Sequence, residues 1–249
     1  MLKLIVGGDS NSDLNFRSTV HPDWDFSFKK WPQYVAEHLG MELVCVGKGG
    51  RGNEYIYHSL LHEIIRTPQE EIGLVMVGWS QAMRKDWLQD DRWFCQRTNN
   101  DGDLLGWVTT SLDHYISFQF LCENFDLPYH HWQMTDLFEG YLGGLTGSIE
   151  PHWGQAAKMN YPGNAEKDEL KLLTRITEYD DVIDNFMGWP GLRSSYKTIN
   201  GGFNLLEKVI GDNRQKQLDS GCIVSELDDH PNEAGHKAIA KFLIKELNL

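Results

Sequence analysis

Hydrophobic positions in this chain fall into short unbroken runs that alternate with stretches of helical spacing. Leu2–Gly7 is a run of strand length, apolar but for Lys3, ending at the pair Gly7-Gly8. A run this short, continuous and bounded by turn residues predicts a strand buried on both faces. Trp31–Leu39 has helical spacing and is stopped by Gly40. Glu42–Val46 predicts a second strand, followed by the glycine-rich Gly47–Gly52. Asn53 then predicts the N-cap of a helix running to about Arg66, where Thr67-Pro68 breaks it. Ile72–Val77 predicts a third strand, Leu112–Phe125 a helix and Pro128–Gln133 a fourth strand. Strands alternating with helices in this way predict an α/β fold, a parallel sheet covered by helices on both faces.

Between Asp136 and Ser225 the periodicity weakens and Gly, Trp and Tyr become frequent. Helical patches remain near Lys167–Ile176 and Phe203–Val209, and Cys222–Val224 predicts a last short strand. From Pro231 a closing helix is predicted, with Ala238, Ile239, Phe242, Leu243 and Leu247 on one face. No repeat, low-complexity tract or linker interrupts the 249 residues, so one domain spanning 1–249 is expected, with an insertion at about 136–225.

Charge narrows the partners. Lys and Arg number 23 against 36 Asp and Glu, a formal net charge of −13. Such a surface repels phosphate backbones and argues against nucleic acid. Cys45, Cys95, Cys122 and Cys222 form no Cys-x-x-Cys pair, and Cys45 lies in an apolar run, so reduced thiols are expected. The opening MLKLIVGG is too short for a secretory signal, and no segment has the length of a membrane span. The expectation is a protein that is cytoplasmic at synthesis and makes no membrane contact. An oligomer or a larger assembly such as a virus particle stays open.

Two segments carry candidate chemistry. Gly7-Gly8-Asp9-Ser10-Asn11-Ser12-Asp13 follows the first strand, and ligands of open parallel sheets bind at the carboxyl ends of strands. An ordinary strand-to-loop turn uses the same residue types. Asp228-Asp229-His230-Pro231-Asn232-Glu233-Ala234-Gly235-His236 precedes the closing helix. A nucleophilic serine needs an imidazole to take its proton and a carboxylate to fix the imidazole tautomer. Pro231 in the first helical turn would leave His230 on the loop. A helix N-terminus rich in acids is the plainer alternative.

Taken together, Gly8-Asp9-Ser10 and His230-Pro231-Asn232-x-x-Gly235-His236 resemble the first and last blocks of the SGNH/GDSL hydrolase family. That family comprises metal-free esterases, lipases, thioesterases and carbohydrate deacetylases on a flavodoxin-like three-layer α/β/α fold. The resemblance implies Ser10 as nucleophile, its N–H contributing to the oxyanion hole, and His230 as general base and then acid. It implies no cofactor and no metal, and a small-molecule or glycan ester as substrate. The second block, whose glycine N–H joins the oxyanion hole, is similar to Gly47–Asn53, with Gly50 as donor and Gly52 as alternative. Asp9, Asn53 and Trp79, beside these blocks, are expected to contact substrate. The third block usually reads Gly-x-Asn, but here Ser80 of Gly78-Trp79-Ser80 stands at the Asn and is expected to donate in its place. The family's orienting Asp usually lies three residues before the His, a position held here by Leu227, so Asp228 takes that role with Glu226 or Asp229 as alternatives. Losing one oxyanion donor costs about 10²–10³ in rate. A catalytically idle SGNH module, binding a glycan or serving a structural role, is therefore the competing reading.

Other constellations are weaker. Gly47-x-Gly49-x-x-Gly52 spells a dinucleotide fingerprint but follows the second strand, and no acidic residue ends the next one. Gly78-Trp79-Ser80-Gln81-Ala82 resembles a nucleophile elbow that would make Ser80 the nucleophile, yet too few strands precede it. His58 and His62 lack a third ligand for a metal. His130 and His131 point to opposite faces of a strand, and Glu178, Asp180, Asp181 and Asp184 lack calcium-loop spacing. Trp132, Tyr141, Trp153, Tyr161, Trp189 and Tyr196 read as a small core of the insertion, with sugar stacking the alternative.

Overall fold

In β1 (Lys3–Gly8) the side chains of Leu4 and Val6 pack into one apolar layer and that of Ile5 into another, as strand alternation dictates. The computed structural model describes residues 1–97, 103–135, 137, 171, 174–189 and 202–249. β1 is joined by β2 (Glu42–Cys45), β3 (Ile72–Trp79), β6 (Tyr129–Gln133) and β7 (Phe186–Met187) in a parallel sheet ordered β2-β1-β3-β6-β7. Helices α2 (Asn53–Arg66) and α3 (Leu104–Asn124) cover one face through Ile56, Leu60, Leu112, Tyr115 and Phe118. Helices α1 (Trp31–Leu39), α4 (Leu205–Val209) and α6 (Glu233–Glu246) cover the other through Trp31, Val35, Leu205, Ile239 and Leu243. Each such side chain contributes about 1.5–3 kcal/mol on full burial. Helix α5 (Arg214–Asp219) completes the helices named here, and none among the described residues is long and apolar enough to cross a membrane. The three-layer α/β architecture is the one the strand–helix alternation predicts.

Several boundaries and elements differ from the sequence reading. α3 begins eight residues before Leu112, where the Asp103 carboxylate accepts the Gly106 N–H at 2.7 Å. Gly106 and the β-branched Val108-Thr109-Thr110 obscure that start, because their intrinsic helix preference is low. β4 (Arg84–Gln89) and β5 (Arg92–Arg97) form an antiparallel hairpin that the sequence did not reveal. Its turn is Asp90-Asp91, both at positive φ (50° and 57°), the left-handed pair a two-residue hairpin needs. Asp-Asp is a weaker signal for that turn than Asn-Gly.

The stretch read as an insertion supplies part of the sheet, since Phe186–Met187 pairs with His131–Trp132 as β7. β8 (Ile223–Ser225) does not extend the main sheet but pairs antiparallel with β9 (Asp228–Pro231). Pro231 therefore ends a strand, and α6 is capped by Asn232, whose side chain accepts the Gly235 N–H at 3.1 Å. Of the aromatics assigned to the insertion, Trp132 is buried against Trp31 and Trp189 packs edge-on to Phe186. Tyr141, Trp153, Tyr161 and Tyr196 lie outside the described residues. All four cysteines are free thiols.

The segment before α1 ends on an unusual group. Lys30 is fully buried, its Nζ donating to the Phe26 carbonyl at 3.0 Å and lying 3.6 Å from the Phe28 ring centroid. Burial pulls its ammonium down to about 8, against the opposing pull of Asp13 and Asp25. Between about pH 8 and 10.5 the unfolded chain holds this proton and the folded chain has released it, so stability rises with pH in that window. Urea denaturation is expected to show a gain of up to about 3 kcal/mol across the window relative to Lys30→Met, which has nothing to titrate.

Candidate active site

The Ser10 loop is built by close packing. A Cβ on Gly7 would lie 2.6 Å from Leu60, and one on Gly8 would lie 2.3 Å from the Ser12 hydroxyl. Both glycines lie within β1, so α2 presses on the end of the strand and the next turn folds back over it. Ser12 and Asp13 donate their N–H groups to the Asp9 carbonyl at 3.0 and 3.1 Å, closing that turn. Ser10, 7% exposed, sits at its crest.

The β8–β9 hairpin brings the other terminus to the same place. Ser10 Oγ lies 2.8 Å from His230 Nε2, and His230 Nδ1 lies 2.6 Å from Asp228 Oδ1. The strand geometry of β9 explains the spacing: residues two apart share a face, so an acid at this offset reaches the ring. Asp228 Oδ1 also accepts the His230 N–H at 3.1 Å, which fixes the carboxylate against the backbone. Burial raises the Asp228 carboxyl, but hydrogen bonds from His230 and Ser18 outweigh it and bring it down to about 2. Asp228, Asp229 and His230 offer ligand-type atoms within 4.8 Å of one another, and two of these residues are already bonded to each other.

The segment between β1 and α1 holds the imidazole from outside. Phe16 stacks on the His230 ring with centroids 4.2 Å apart and planes 26° from parallel. His21 Nε2 lies 2.6 Å from Ser225 Oγ, which accepts the N–H groups of Leu227 and Asp228. Sequence reasoning passed over Phe16, Ser18 and His21 because nothing local marks them as neighbours of a residue two hundred positions away. His236, the last member of the closing motif, is buried and accepts the Trp31 N–H through Nδ1 at 3.3 Å. Burial brings its ring down to about 3, so it is neutral and ties α6 to the start of α1.

The remaining predicted residues part company with their expected roles. Asp9 is fully buried, its carboxylate accepting Asn11 N and Nδ2 and the Ser80 hydroxyl at 3.2 Å, with Arg84 at 4.0 Å. Ser80 is fully buried as well, so its proton is committed to Asp9 rather than to an oxyanion, and it is not an accessible nucleophile. Asn53 is not the helix cap, because Gly52 precedes the first helical residue. Its amide instead bonds the Ser80 N–H at 2.7 Å, the Ser80 carbonyl at 3.1 Å and the Ser111 hydroxyl at 3.0 Å. Trp79 is buried against Tyr115 and Phe118, donating to His131. Asp9, Asn53 and Trp79 thus hold the floor of the site and are out of reach of a substrate.

In the Gly47–Gly52 loop three of the N–H groups are claimed. Lys48 donates to the Gly8 carbonyl at 3.0 Å and Gly49 to Asp13 at 2.9 Å. Gly52 donates to the Asp86 carboxylate at 2.9 Å, which removes it as an oxyanion donor. Gly50 has no such partner among the described residues, and its φ of +73° suits a glycine. A Cβ on Gly49 would lie 3.8 Å from that of Ser10, so the loop borders Ser10.

Asp86 also accepts the Tyr55 N–H at 3.0 Å, capping α2 from the neighbouring hairpin. A carboxylate thus fills the place a dinucleotide phosphate would need. Asp86→Ala is expected to cost about 1–3 kcal/mol in urea unfolding, because it strands amides at a helix N-terminus; an unchanged midpoint would refute the capping role.

The parallel sheet covered by helices on both faces is an SGNH/GDSL-like fold. Solved structures similar to this chain include a member of the lipolytic protein G-D-S-L family from Veillonella parvula. It is 9% identical, with a TM-score of 0.50 over 100% of this chain and 99% of that one. The psychrotrophic esterase EstA from Pseudoalteromonas sp. is 11% identical, with a TM-score of 0.48 over 99% and 96% of the two chains. A carbohydrate acetylesterase family member from Sinorhizobium meliloti is 11% identical, with a TM-score of 0.46 over 100% and 98%. No protein-family model and no curated protein matches the sequence.

Proposed function

We propose that the protein is a serine ester hydrolase, an esterase or carbohydrate O-deacetylase that works through an acyl-enzyme on Ser10. The observation that carries this reading is the continuous line from Ser10 Oγ through the His230 ring to Asp228, with contacts of 2.8 and 2.6 Å. The low proton affinity of Asp228 keeps it a carboxylate, so His230 Nδ1 carries the proton and Nε2 is free to accept one. As Ser10 Oγ bonds to the acyl carbon, its proton passes to His230 Nε2. Negative charge develops on the carbonyl oxygen, where the N–H groups of Ser10 and Gly50 are the available donors. Collapse breaks the ester C–O bond, and His230 returns the proton to the departing alcohol. Water then gives a proton to His230 and attacks the acyl-Ser10 carbonyl; the bond to Ser10 Oγ breaks, His230 returns the proton to that oxygen, and the acid and free serine result.

The commitment of the Ser80 hydroxyl to Asp9 favours a second reading, an SGNH-fold module that binds a glycan or builds an assembly without turnover. One experiment separates the two. Incubation with a fluorophosphonate, followed by intact mass and peptide mapping, is expected to give a single adduct on Ser10. An unlabelled, folded protein supports the idle module instead.

A further inference from the structure

Between the Gly47–Gly52 loop, whose Gly49 approaches Ser10, and the β4–β5 hairpin lies a cleft of about 390 Å³, lined by Lys48, Arg51, Tyr55, Arg92, Trp93 and Phe94. Its composition runs against the rest of the molecule: three cations and three aromatics in a chain whose net charge is −13. Lys48 shares its charge with Asp13 at 3.9 Å. Arg51 and Arg92 have no carboxylate partner among the described residues, and the buried Arg51 Nε lacks any hydrogen-bond acceptor. The Arg51 guanidinium lies 5.7 Å from the Tyr55 ring centroid, and Trp93 stands perpendicular to Tyr55 at 5.6 Å. Flat aromatic faces therefore meet two guanidinium groups that no carboxylate neutralises among the described residues.

We propose that this cleft binds a carboxylate-bearing sugar, and that the ester cleaved at Ser10 is carried on an acidic glycan; the second half rests on the hydrolase reading above. Guanidinium groups match carboxylates through paired N–H donors, and aromatic walls take the apolar face of a sugar ring. The helix amides nearby already serve Asp86, so recognition of the anion falls to the arginine side chains. Proximity along the chain is compatible with a neighbouring sugar unit. Arg51 is two residues from Gly49, within about 8 Å along the chain, and Gly49 borders Ser10. A long polyphosphate meets the same cations but also the repulsion of the acidic surface, which a short uronate or sialate largely avoids.

Calorimetric titration of the Ser10→Ala protein, which cannot turn over ligand, tests the cleft directly. The probes are tetragalacturonate, sialyllactose, neutral xylotetraose and a thymidine oligonucleotide. One of the two acidic sugars is expected to bind at least about 10-fold more tightly than xylotetraose, and Arg92→Ala or Arg51→Ala to remove about 10-fold of that affinity. Arg92 lies on an exposed hairpin strand, so its variant remains informative if the Arg51 variant folds poorly. Equal binding of neutral and acidic sugars, tighter binding of the oligonucleotide, or indifference to both arginine substitutions overturns the assignment. Fluorophosphonate labelling of the wild type judges the hydrolase separately. A labelled protein that ignores acidic sugars refutes the cleft alone, and an unlabelled protein that binds them refutes the ester half alone.

Discussion

Ser10→Ala is expected to abolish fluorophosphonate labelling and to lower hydrolysis of p-nitrophenyl acetate by roughly 10⁴-fold or more. The reason lies in the division of labour at the site. Ser10 Oγ is 2.8 Å from His230 Nε2, and the other serine near the floor, Ser80, is fully buried with its hydroxyl on Asp9. With Ser10 removed, no accessible hydroxyl in the described geometry takes its place beside His230. Stability should change little, because the loop is held by Asp9, Ser12 and Asp13 and not by the Ser10 side chain. Matching thermal unfolding of the two proteins would tie the lost rate to chemistry. Retained labelling in Ser10→Ala, with loss in Ser80→Ala, would move the nucleophile to Ser80 and sink the mechanism described above.

Asp228→Asn is expected to lower turnover by about 10⁴ while leaving substrate affinity close to wild type. An amide at this position can donate to His230 Nδ1, which selects the tautomer with its proton on Nε2, and that ring can no longer accept from Ser10. Loss of charge also removes the partner of the imidazolium that forms in the transition state. Asp228 further supplies a stability signal of known sign. Its folded proton affinity is depressed from 3.8 to about 2, so its contribution is complete above about pH 4 and is lost as the pH falls through about 2. That contribution is about 2 kcal/mol, and acid denaturation of Asp228→Asn should lack the corresponding limb. Turnover unchanged in Asp228→Asn would leave the imidazole oriented by something else, with Phe16 stacked on its face as the next candidate.

How far these residues could be foreseen depended on what marks them locally. Ser10 and His230 announce themselves, because each sits in a short motif at a strand end or before a helix. Asp228 was preferred to Glu226 and Asp229 from the sequence, but what brings it to the ring is that β9 is a strand, where an offset of two residues shares a face. The roles given to Asp9, Asn53, Trp79 and Ser80 failed for a common reason. Position beside a catalytic block does not say whether a side chain faces the cleft or the core, and all four face inward. The β4–β5 hairpin was missed because Asp90-Asp91 is a weak turn signal. With it went Asp86, which caps α2, and Arg92, Trp93 and Phe94, which wall the cleft.

Periodicity and local chemistry determined the parallel sheet, its two helical layers and the two motif-bearing loops, since each follows from interactions between residues close along the chain. The tertiary structure alone decided which polar groups remained free. That question is one of competition: Asp9 captures the Ser80 hydroxyl, Asp86 captures the Gly52 N–H, and the Gly50 N–H and Arg51 Nε are left without a partner among the described residues. Burial and partnership arise between segments far apart in sequence, and no pattern within one segment encodes them.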